Sequence, residues 1–392
     1  MRDRLGPGTR LGYCTNVHAG ATLAAVKANL AQHACAVRER VCPGEPLGIG
    51  LWLPEDAARE IADDAAPFAE WLGAHGLDVF TFNGFPQGDF HDGVVKHAVY
   101  APTWADEARL DYTLRLARIL GAIVRAGEAA SISTLPLGWR PAMTGHDVEL
   151  AAHHLRTCAA ALARLEAETG RLIHVDLEPE PGCVLDRSDD VVRFFRDHLL
   201  PGGDEATIRR HVRVCHDVCH AAVMVESQDA ALHAYAAAGI AVGKVQLSCA
   251  LVAPFDGLAP EERAAAWREL GAFHEPRYLH QTTVVDRDGT TGAARERHFE
   301  DLPAAMAGGA ATGTWRVHFH VPVFLAEIGR LRTTQPELIE CLAAVRGADV
   351  RQFEVETYAW DVLPAHLRIE PLAEGIAREL SWVLERAREG TP

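Results

Sequence analysis

The chain has 392 residues, of which 48% are hydrophobic and 23% charged, as in a soluble globular protein able to bury a sizeable core. Its 38 basic and 54 acidic side chains give a net charge of −16, which opposes the phosphate backbone of duplex nucleic acid, so we expect no nucleic-acid partner. The sequence has no run of about 18 apolar residues and starts without the apolar region of a secretory signal. We therefore expect a cytoplasmic protein that does not insert into a membrane.

Nine cysteines, an odd number without regular spacing, predict free thiols rather than a disulfide framework. Cys215 and Cys219 form one close pair, and His216 and His220 repeat the same offset. These four residues could form a zinc hairpin. That alternative lacks a second Cys/His pair at the spacing of a zinc finger.

Strand-like apolar runs alternate with amphipathic helical patterns along most of the chain. The runs begin near Leu11, Leu47, Asp78, Ala130, Leu172, Arg213, Val242 and Val350. The helical patterns cover residues 21–41, 55–74, 104–126, 147–169, 227–238, 335–345 and 371–388. A strand followed by a helix, repeated about every 30 to 50 residues, predicts a (β/α)₈ TIM barrel. A doubly wound sheet is the alternative, but residues 14–20 are not the glycine-rich phosphate loop that it would place after the first strand.

The interval between the seventh and eighth predicted strands, residues 248–351, is too long for one crossover helix. It contains a helical pattern near 260–270, a strand-like run at 277–285 and a polar turn at 286–289. We predict that residues 250–315 are an insertion after strand seven that covers the C-terminal face of the barrel, where long loops shape active sites. Because no linker-like segment divides the chain, we expect a single domain over residues 1–392.

Four segments carry polar side chains where a buried strand would carry only apolar ones: residues 173–178, 214–220, 316–321 and 353–357. Strand alternation places the members of each of these sets on one face: His174, Asp176 and Glu178; His318 and His320; Glu354 and Glu356. Burying several carboxylates without partners is very unfavourable. A divalent cation at the barrel mouth would compensate them.

Active-site groups of TIM barrels come from the C-terminal ends of the strands. The candidates at such ends are Glu178, Asp217, His220, Gln246 and Glu356. Taken singly, each acid could instead cap a helix or form an ion pair. The remaining polar residues of these strands have other expected positions. His174 and Asp176 lie deeper on their strand, where we expect them to support the metal ligands from behind or to be satisfied in the core rather than to bind the metal. His216 is expected to face the helical layer, and Glu354 to lie in reach of Lys244 on the next strand. The single histidines His18, His91 and His280 could serve only surface or packing roles.

Several of these segments resemble the metal-binding strand ends of the xylose-isomerase-like barrel superfamily. The matching segments are 178–182 (Glu-Pro-Glu-Pro-Gly), 217–220 (Asp-Val-Cys-His), 318–320 (His-Phe-His) and 356–357 (Glu-Thr). The superfamily includes sugar-phosphate isomerases and epimerases and the endonuclease IV-type repair enzymes. Residues 12–18, 277–282 and 354–358 look most like the EboE-type metabolite traffic proteins of secondary metabolism. The resemblance extends over essentially the whole chain.

By position, the resemblance implies Glu178, Asp217 and Glu356 as carboxylate ligands and His220 as the histidine of an Asp-x-x-His pattern. His318 and His320 stand where the repair enzymes have an Asp-x-His pair.

The chain departs from those enzymes on three strands. Asn83, residues 134–136 (Thr-Leu-Pro) and Gln246 occupy positions where strands three, four and seven would offer histidines. The resemblance therefore does not imply a three-metal DNA-repair site, and Gln246 would be a weaker ligand than imidazole.

Two classes of function stay open. The first is a metal-dependent isomerase or epimerase of a small polyol or hydroxy-carbonyl metabolite. There Mn²⁺ or Zn²⁺ would act as a Lewis acid on an enediolate while a carboxylate or histidine moves the proton. The candidate metal ligands are Glu178, Asp217, His220, Gln246, His318, His320 and Glu356. The candidate catalytic residues are Glu178, Glu356, His220 and His318, and the candidate substrate-binding residues are Asn16, His18, Asn83 and His280.

The second class is a non-catalytic protein that holds a metabolite in the barrel mouth, for which the EboE resemblance implies pathway partner proteins. A metal-dependent phosphoesterase of the endonuclease IV type is a further alternative. Two or three metals would need more histidines than strands three, four and seven provide.

Overall fold

A closed barrel of eight parallel strands forms the centre of the molecule. The computed structural model describes residues 1–91, 93–287, 293–308 and 310–389. The barrel strands, numbered in chain order with those of the insertion, are β1 (Arg10–Cys14), β2 (Leu47–Trp52), β3 (Leu77–Asn83), β4 (Ala129–Thr134), β5 (Leu172–Leu177), β6 (Val212–Asp217), β7 (Val242–Leu247) and β14 (Gln352–Val355). Each of β1 to β7 pairs with its neighbour in sequence, and β14 closes the barrel between β7 and β1. This topology confirms the predicted (β/α)₈ barrel.

Helices surround the barrel and occupy the connections between its strands. They are α1 (Leu23–Asn29), α2 (Cys35–Val41), α3 (Glu55–Glu60), α4 (Ala66–Ala74), α5 (Glu107–Ile123), α6 (Gly145–Thr169), α7 (Ser188–Phe194), α8 (Glu205–His211), α9 (Val218–Val223), α10 (Gln228–Ala237), α11 (Pro260–Gly271), α12 (Leu302–Ala307), α13 (Gln335–Ala344) and α14 (Leu372–Glu389). The longest, α6, starts at a capping box of Thr144 with Asp147 and ends at Gly170, whose φ of 68° lies in the left-handed region. Within the described residues, none of the helices has the length and apolar character needed to cross a bilayer.

A second, antiparallel sheet lies in the chain between β7 and β14. Its strands are β8 (Leu251–Pro254), β9 (Thr282–Arg287), β10 (Ala294–Phe299), β11 (Thr314–Val317), β12 (Glu327–Ile328) and β13 (Leu331–Thr333), arranged in the order β10-β9-β11-β8-β13-β12. The insertion boundary predicted at residue 315 thus falls inside β11. The predicted strand at residues 316–321 ends at Val317, and the predicted strand-like run at 277–285 becomes a strand only from Thr282. The single-domain organisation stays a prediction.

The interior of the barrel is polar beneath the strand ends. Lys244 Nζ donates to Glu354 Oε2 at 2.7 Å and to Ser133 Oγ at 2.9 Å, and both members of the ion pair are fully buried. The proposed contact between Glu354 and Lys244 is therefore confirmed. A Cβ atom on Gly50 would lie 1.5 Å from Glu354 Oε1, so only glycine at this position of β2 leaves room for the carboxylate.

Candidate metal centre

Three carboxylates converge at the C-terminal rim of the barrel. Glu178 directly follows β5, Asp217 is the last residue of β6 and Glu356 directly follows β14, so parallel pairing brings them to the same rim. One oxygen of each lies within 4.8 Å of those of the other two, and the residues are only 3%, 2% and 4% exposed. Glu178 Oε2 and Asp217 Oδ2 accept no hydrogen bond from any described residue. Such buried oxygens without a partner are unfavourable unless a cation or a proton compensates them.

Two asparagines orient Glu356. Asn16, in the turn after β1, donates from Nδ2 to Glu356 Oε1 at 2.7 Å, and Asn83, the last residue of β3, donates to the same oxygen at 2.9 Å. These two predicted substrate-binding residues also line the cavity above the carboxylates. Their amides fix one oxygen of Glu356, as hydrogen-bonded partners do for metal-binding carboxylates.

Three histidines adjoin the carboxylates with their Nε2 atoms directed inward. His220 Nδ1 contacts Pro179 O at 2.9 Å, His320 Nδ1 contacts Glu356 O at 2.7 Å, and His318 Nδ1 contacts Gln281 Oε1 at 2.6 Å. Because a carbonyl oxygen only accepts hydrogen bonds, Nδ1 is the donor in each ring.

The Nε2 atoms that remain face one another or the carboxylates. His220 Nε2 lies 3.2 Å from His318 Nε2, an arrangement that requires a shared proton or a cation beside the two rings. His320 Nε2 has no hydrogen-bond partner among the described residues and lies 4.0 Å from Asp217 Oδ2. Asp217, His220 and His320 form a second group with ligand atoms within 4.8 Å, so Asp217 belongs to both groups.

Gln246 occupies the position on β7 next to these groups. It pairs in register with Asp217 on one side and with Glu354 on the other. The residue is fully buried, and both atoms of its amide lack a hydrogen-bond partner within the described chain. Its carbonyl oxygen is therefore available as a ligand for a hard cation.

The electrostatics of the rim favour a proton or a cation on Glu178 and Glu356 and the charged form of Asp217. Burial raises the pKa of Glu178 well above its usual value, and the charges of Glu356 and Asp217 reinforce that shift. Burial, with Asp217 and Glu354, raises the pKa of Glu356 to about 8. Burial also opposes the charged form of Asp217, but His220 and His320 outweigh it and hold the pKa of Asp217 below its usual value.

Burial acts on the histidines in the opposite direction. It lowers the pKa of His320 to about 4 and the pKa of His318 well below its usual value, and the neighbouring imidazoles add to the shift in both rings. These rings are therefore neutral at neutral pH, which is the form that binds metals and accepts protons.

A cavity of about 530 Å³, including its solvent-open mouth, lies directly above the rim. Its polar floor is formed by Glu178, Glu180, His220, His318, His320 and Glu356. The segment between β7 and β14 reaches this cavity at two places, with Tyr278 and Leu279 before β9 and with His318 and His320 after β11. The donor groups are thus open to a small molecule.

No family model and no curated protein matches this chain. Solved structures that it resembles include a xylose isomerase-like TIM barrel protein from Mycobacterium smegmatis in complex with magnesium, with 12% identity over 97% of each chain and a TM-score of 0.47. An L-ribulose 3-epimerase has 14% identity over 97% of this chain and 96% of its own, with a TM-score of 0.47. The IOLI protein with a binding zinc atom has 10% identity over 97% and 99%, with a TM-score of 0.46. These are similarities of fold. The chemistry of the site follows only from the residues of this chain.

The two other predicted substrate-binding residues do not line the cavity. His18 Nε2 contacts Tyr13 OH at 3.0 Å, and its ring stacks on His33 at a centroid distance of 4.7 Å. His280 Nε2 contacts Glu275 Oε1 at 2.8 Å, while its Nδ1 contacts the carbonyl of His318 at 2.8 Å. Protein contacts enclose both rings, and a role in substrate binding stays a prediction.

Three polar residues of the barrel strands lie where the sequence places them. His174 Nδ1 contacts Asp176 Oδ1 at 2.6 Å, and both residues are buried. Asp176 Oδ2 has no hydrogen-bond partner among the described residues, so the expectation of a satisfied core residue holds for only one oxygen of Asp176. His216 Nε2 contacts Gln228 Oε1 of α10 at 2.7 Å, which confirms its predicted position toward the helical layer. The zinc-hairpin alternative finds no support, since no candidate metal group among the described residues combines Cys215 with Cys219.

Glu180, Tyr100 and Gln281 are part of the site but were missed as site residues. Glu180 Oε1 accepts from Tyr100 OH at 2.7 Å and from Gln281 Nε2 at 2.9 Å, and Gln281 in turn holds Nδ1 of His318. The signal for Glu180 was its place two residues after Glu178 in the Glu-Pro-Glu-Pro segment. Tyr100 and Gln281 come from loops that no local pattern links to the strand ends.

The raised pKa of Glu356 predicts a pH dependence of stability in protein freed of metal by chelation. A carboxyl group whose pKa is about 8 when folded binds its proton more tightly than in the unfolded chain. Its contribution to stability is therefore complete below the unfolded pKa and is lost as pH rises through about 8. We expect the melting temperature of the metal-free protein to fall progressively from about pH 4.5 to about pH 8 and to level off above that. The fall should be smaller in Glu356→Gln, and an identical fall in that variant would assign the effect to other groups.

Proposed function

We propose that this protein is a metal-dependent enzyme that isomerises or epimerises a small hydroxy-carbonyl metabolite by moving a proton next to the carbonyl group. The observation that supports this most is the group formed by Glu178, Asp217 and Glu356, whose buried oxygens converge below an open cavity. A Lewis acid that polarises the carbonyl group and a base within reach of the adjacent carbon together promote proton transfer of this kind.

The residues of the rim fit a divalent cation. Glu178, Asp217 and Glu356 would hold it, and the unpartnered amide of Gln246 offers a further oxygen. The nearby ammonium of Lys244 is bound by Glu354 and offsets only part of the charge of the carboxylates above it. When bound, the cation would polarise a carbonyl oxygen and favour loss of a proton from the adjacent carbon. Carboxylate and imidazole donors suit both Mn²⁺ and Zn²⁺.

The residues that would move the proton face the cavity from the insertion and from α9. The Nε2 atoms of His220 and His318 have no backbone partner, and Gln281 orients His318 through Nδ1. Burial keeps the pKa of His318 low, so its imidazole is a proton acceptor at neutral pH. Asn16 and Asn83 hold Glu356 in one orientation while the substrate enters above it.

Gln246 supports a second candidate function, a protein that binds a metabolite without converting it. An amide oxygen binds a cation more weakly than imidazole does, which would suit a site that holds rather than activates its ligand. The resemblance to EboE-type proteins would then assign the chain to metabolite traffic in a cytoplasmic secondary-metabolite pathway with partner proteins. Phosphoester hydrolysis is the weaker alternative, because strands three, four and seven present Asn83, Thr134 and Gln246 in place of histidines.

Metal analysis and proton exchange test the proposal together. The purified protein is expected to retain about one equivalent of Mn²⁺ or Zn²⁺. Incubation in deuterated water with a panel of ketoses, aldoses and simple hydroxy-ketones should introduce deuterium next to the carbonyl group of one class. Absence of stoichiometric metal would contradict the enzyme proposal. Bound metal with tight ligand binding but no exchange would favour the binding protein.

A further inference from the structure

The wall of the cavity above the candidate metal centre differs in chemistry from its floor. Three aromatic rings from distant segments pack against one another there: Phe90 from the connection after β3, Tyr278 from the insertion and Tyr358 from the turn after β14. Their ring centroids are separated by 4.9 Å for Phe90 and Tyr278, 5.4 Å for Phe90 and Tyr358, and 5.0 Å for Tyr278 and Tyr358. Phe85, Val95 and Leu279 extend the same apolar surface.

Positive charge is scarce in this cavity. Among the described residues that line it, Lys96 is the one side chain with a permanent positive charge. Its Nζ donates to Asp301 Oδ2 and to the carbonyl of Tyr278, so its charge is already compensated. Phosphate sites are normally built from arginine, lysine or free backbone amides at a helix start. Here the amide of His220 at the start of α9 is bound by Asp217.

The floor offers a phosphate no free cationic side chain. Glu178, Glu180 and Glu356 line it, and among the described residues a phosphate dianion placed there would find no cationic partner apart from the metal itself. Apart from the hydroxyl groups of Tyr278 and Tyr358, the wall presents mainly carbon atoms, so a free sugar chain would find few hydrogen-bond partners there for its several hydroxyl groups.

We propose that the cavity binds an uncharged amphipathic substrate, with a hydroxy-carbonyl head at the polar floor and an aryl or branched alkyl body against the aromatic wall. The position of the hydroxy-carbonyl head rests on the proposed function, and the position of the apolar body rests on the residues of the wall. It replaces the sugar phosphate suggested by the superfamily resemblance with a substrate that carries neither phosphate nor a long polyol chain. An aryl body and a branched alkyl body would both be bound at this wall by apolar contact, and comparing one ligand of each kind distinguishes them.

The test compares four ligands with the same head: an aryl hydroxy-ketone, a branched alkyl hydroxy-ketone, an unphosphorylated ketose and the corresponding ketose phosphate. Binding is measured by calorimetry to protein loaded with Mn²⁺ and, separately, to protein freed of metal. At least one apolar ligand should bind about tenfold more tightly than either ketose, since burying a ring or branched chain removes apolar area from water. Tighter binding of the ketose phosphate or the free ketose would overturn the proposal.

Two variants show that the wall is responsible. Phe90→Leu keeps the site apolar and should weaken aryl binding several-fold while leaving binding of hydroxyacetone, which has only the head, unchanged. Val99→Lys places an ammonium at a half-buried position of the wall, so it should weaken the apolar ligands and strengthen the ketose phosphate. Unchanged ligand preference in both folded variants would also overturn the proposal.

Failure of this proposal is distinguishable from failure of the proposed function. If the protein binds no metal but still prefers apolar ligands, the enzyme proposal fails and the assignment of the wall stands. If metal binds and exchange occurs on a ketose phosphate, the enzyme proposal stands and the assignment of the wall fails.

Discussion

Replacing Glu178 or Glu356 by glutamine is expected to weaken Mn²⁺ and Zn²⁺ binding by more than about 100-fold, because loss of a partner that only orients a ligand already costs 10- to 100-fold. Glutamine keeps the size of the side chain and one carbonyl oxygen but removes the charge. Isothermal titration of metal-free protein measures the effect. Asp217→Asn should behave alike, since Asp217 belongs to both donor groups.

Glu226→Gln is the matched control for these variants. Its carboxylate is half-buried and accepts a hydrogen bond from Ser188 Oγ at 2.7 Å, but it belongs to no candidate metal group among the described residues. Metal affinity should stay within about twofold of the wild type in this control. If Glu178→Gln and Glu226→Gln reduced affinity equally, the carboxylate group at the rim would not be the binding site.

Gln246→His provides the opposite change in the same titration. The buried amide has no partner to lose among the described residues, and imidazole is a stronger ligand for Zn²⁺. We expect tighter binding of Zn²⁺ by this variant. An unchanged affinity would show that position 246 does not reach the cation.

Much of the barrel could be predicted from the sequence because its elements are encoded locally. Alternating apolar runs and helical periods place β1 to β7 and β14 in the right order, and polar residues at the strand ends identify Glu178, Asp217 and Glu356. In a parallel barrel, the ends of distant strands meet at one rim, so spacing along the chain is enough to predict their convergence. The contact between Glu354 and Lys244 follows from the adjacency of β14 and β7, although the residue in register with Glu354 is Gln246.

The connections were predicted less well, because their structure depends on contacts with distant residues. The alternating polar pattern of residues 316–321 suggested a strand, but His318 and His320 lie beyond the end of β11 and are held through their Nδ1 atoms by Gln281 and Glu356. Helices α7 and α8 were not predicted. Each has only seven residues, too few to show a clear apolar period.

The roles of Glu180 and Tyr100 were also beyond local patterns. Tyr100 reaches Glu180 from the connection between β3 and α5, 80 residues away in sequence. The insertion supplies Gln281 to the same carboxylate. Side chains that meet from separate loops leave no periodic signal, and only the three-dimensional arrangement reveals them.

Lys244→Met is expected to destabilise the folded protein by about 3–5 kcal/mol, because it leaves the fully buried carboxylate of Glu354 without its partner. Burial alone would lower the pKa of Lys244, but the charge of Glu354 outweighs burial and raises it, so Lys244 is charged in the folded state. Urea unfolding measures the loss. Glu354→Gln should destabilise by a similar amount, since it leaves a buried ammonium without its carboxylate.

The double variant Lys244→Met/Glu354→Gln separates the ion pair from the packing of the two side chains. If the pair acts as a unit, the double variant loses clearly less stability than the sum of the single variants. Purely additive losses would show that each side chain contributes through packing alone.

The same variants also test the electrostatics of the metal centre, because Lys244 is a positive charge beneath the carboxylates of Glu178 and Glu356. Under conditions in which Lys244→Met is folded, this variant should bind Mn²⁺ more tightly than the wild type. The double variant should lose most of that gain in affinity, because its residue 354 no longer carries a negative charge.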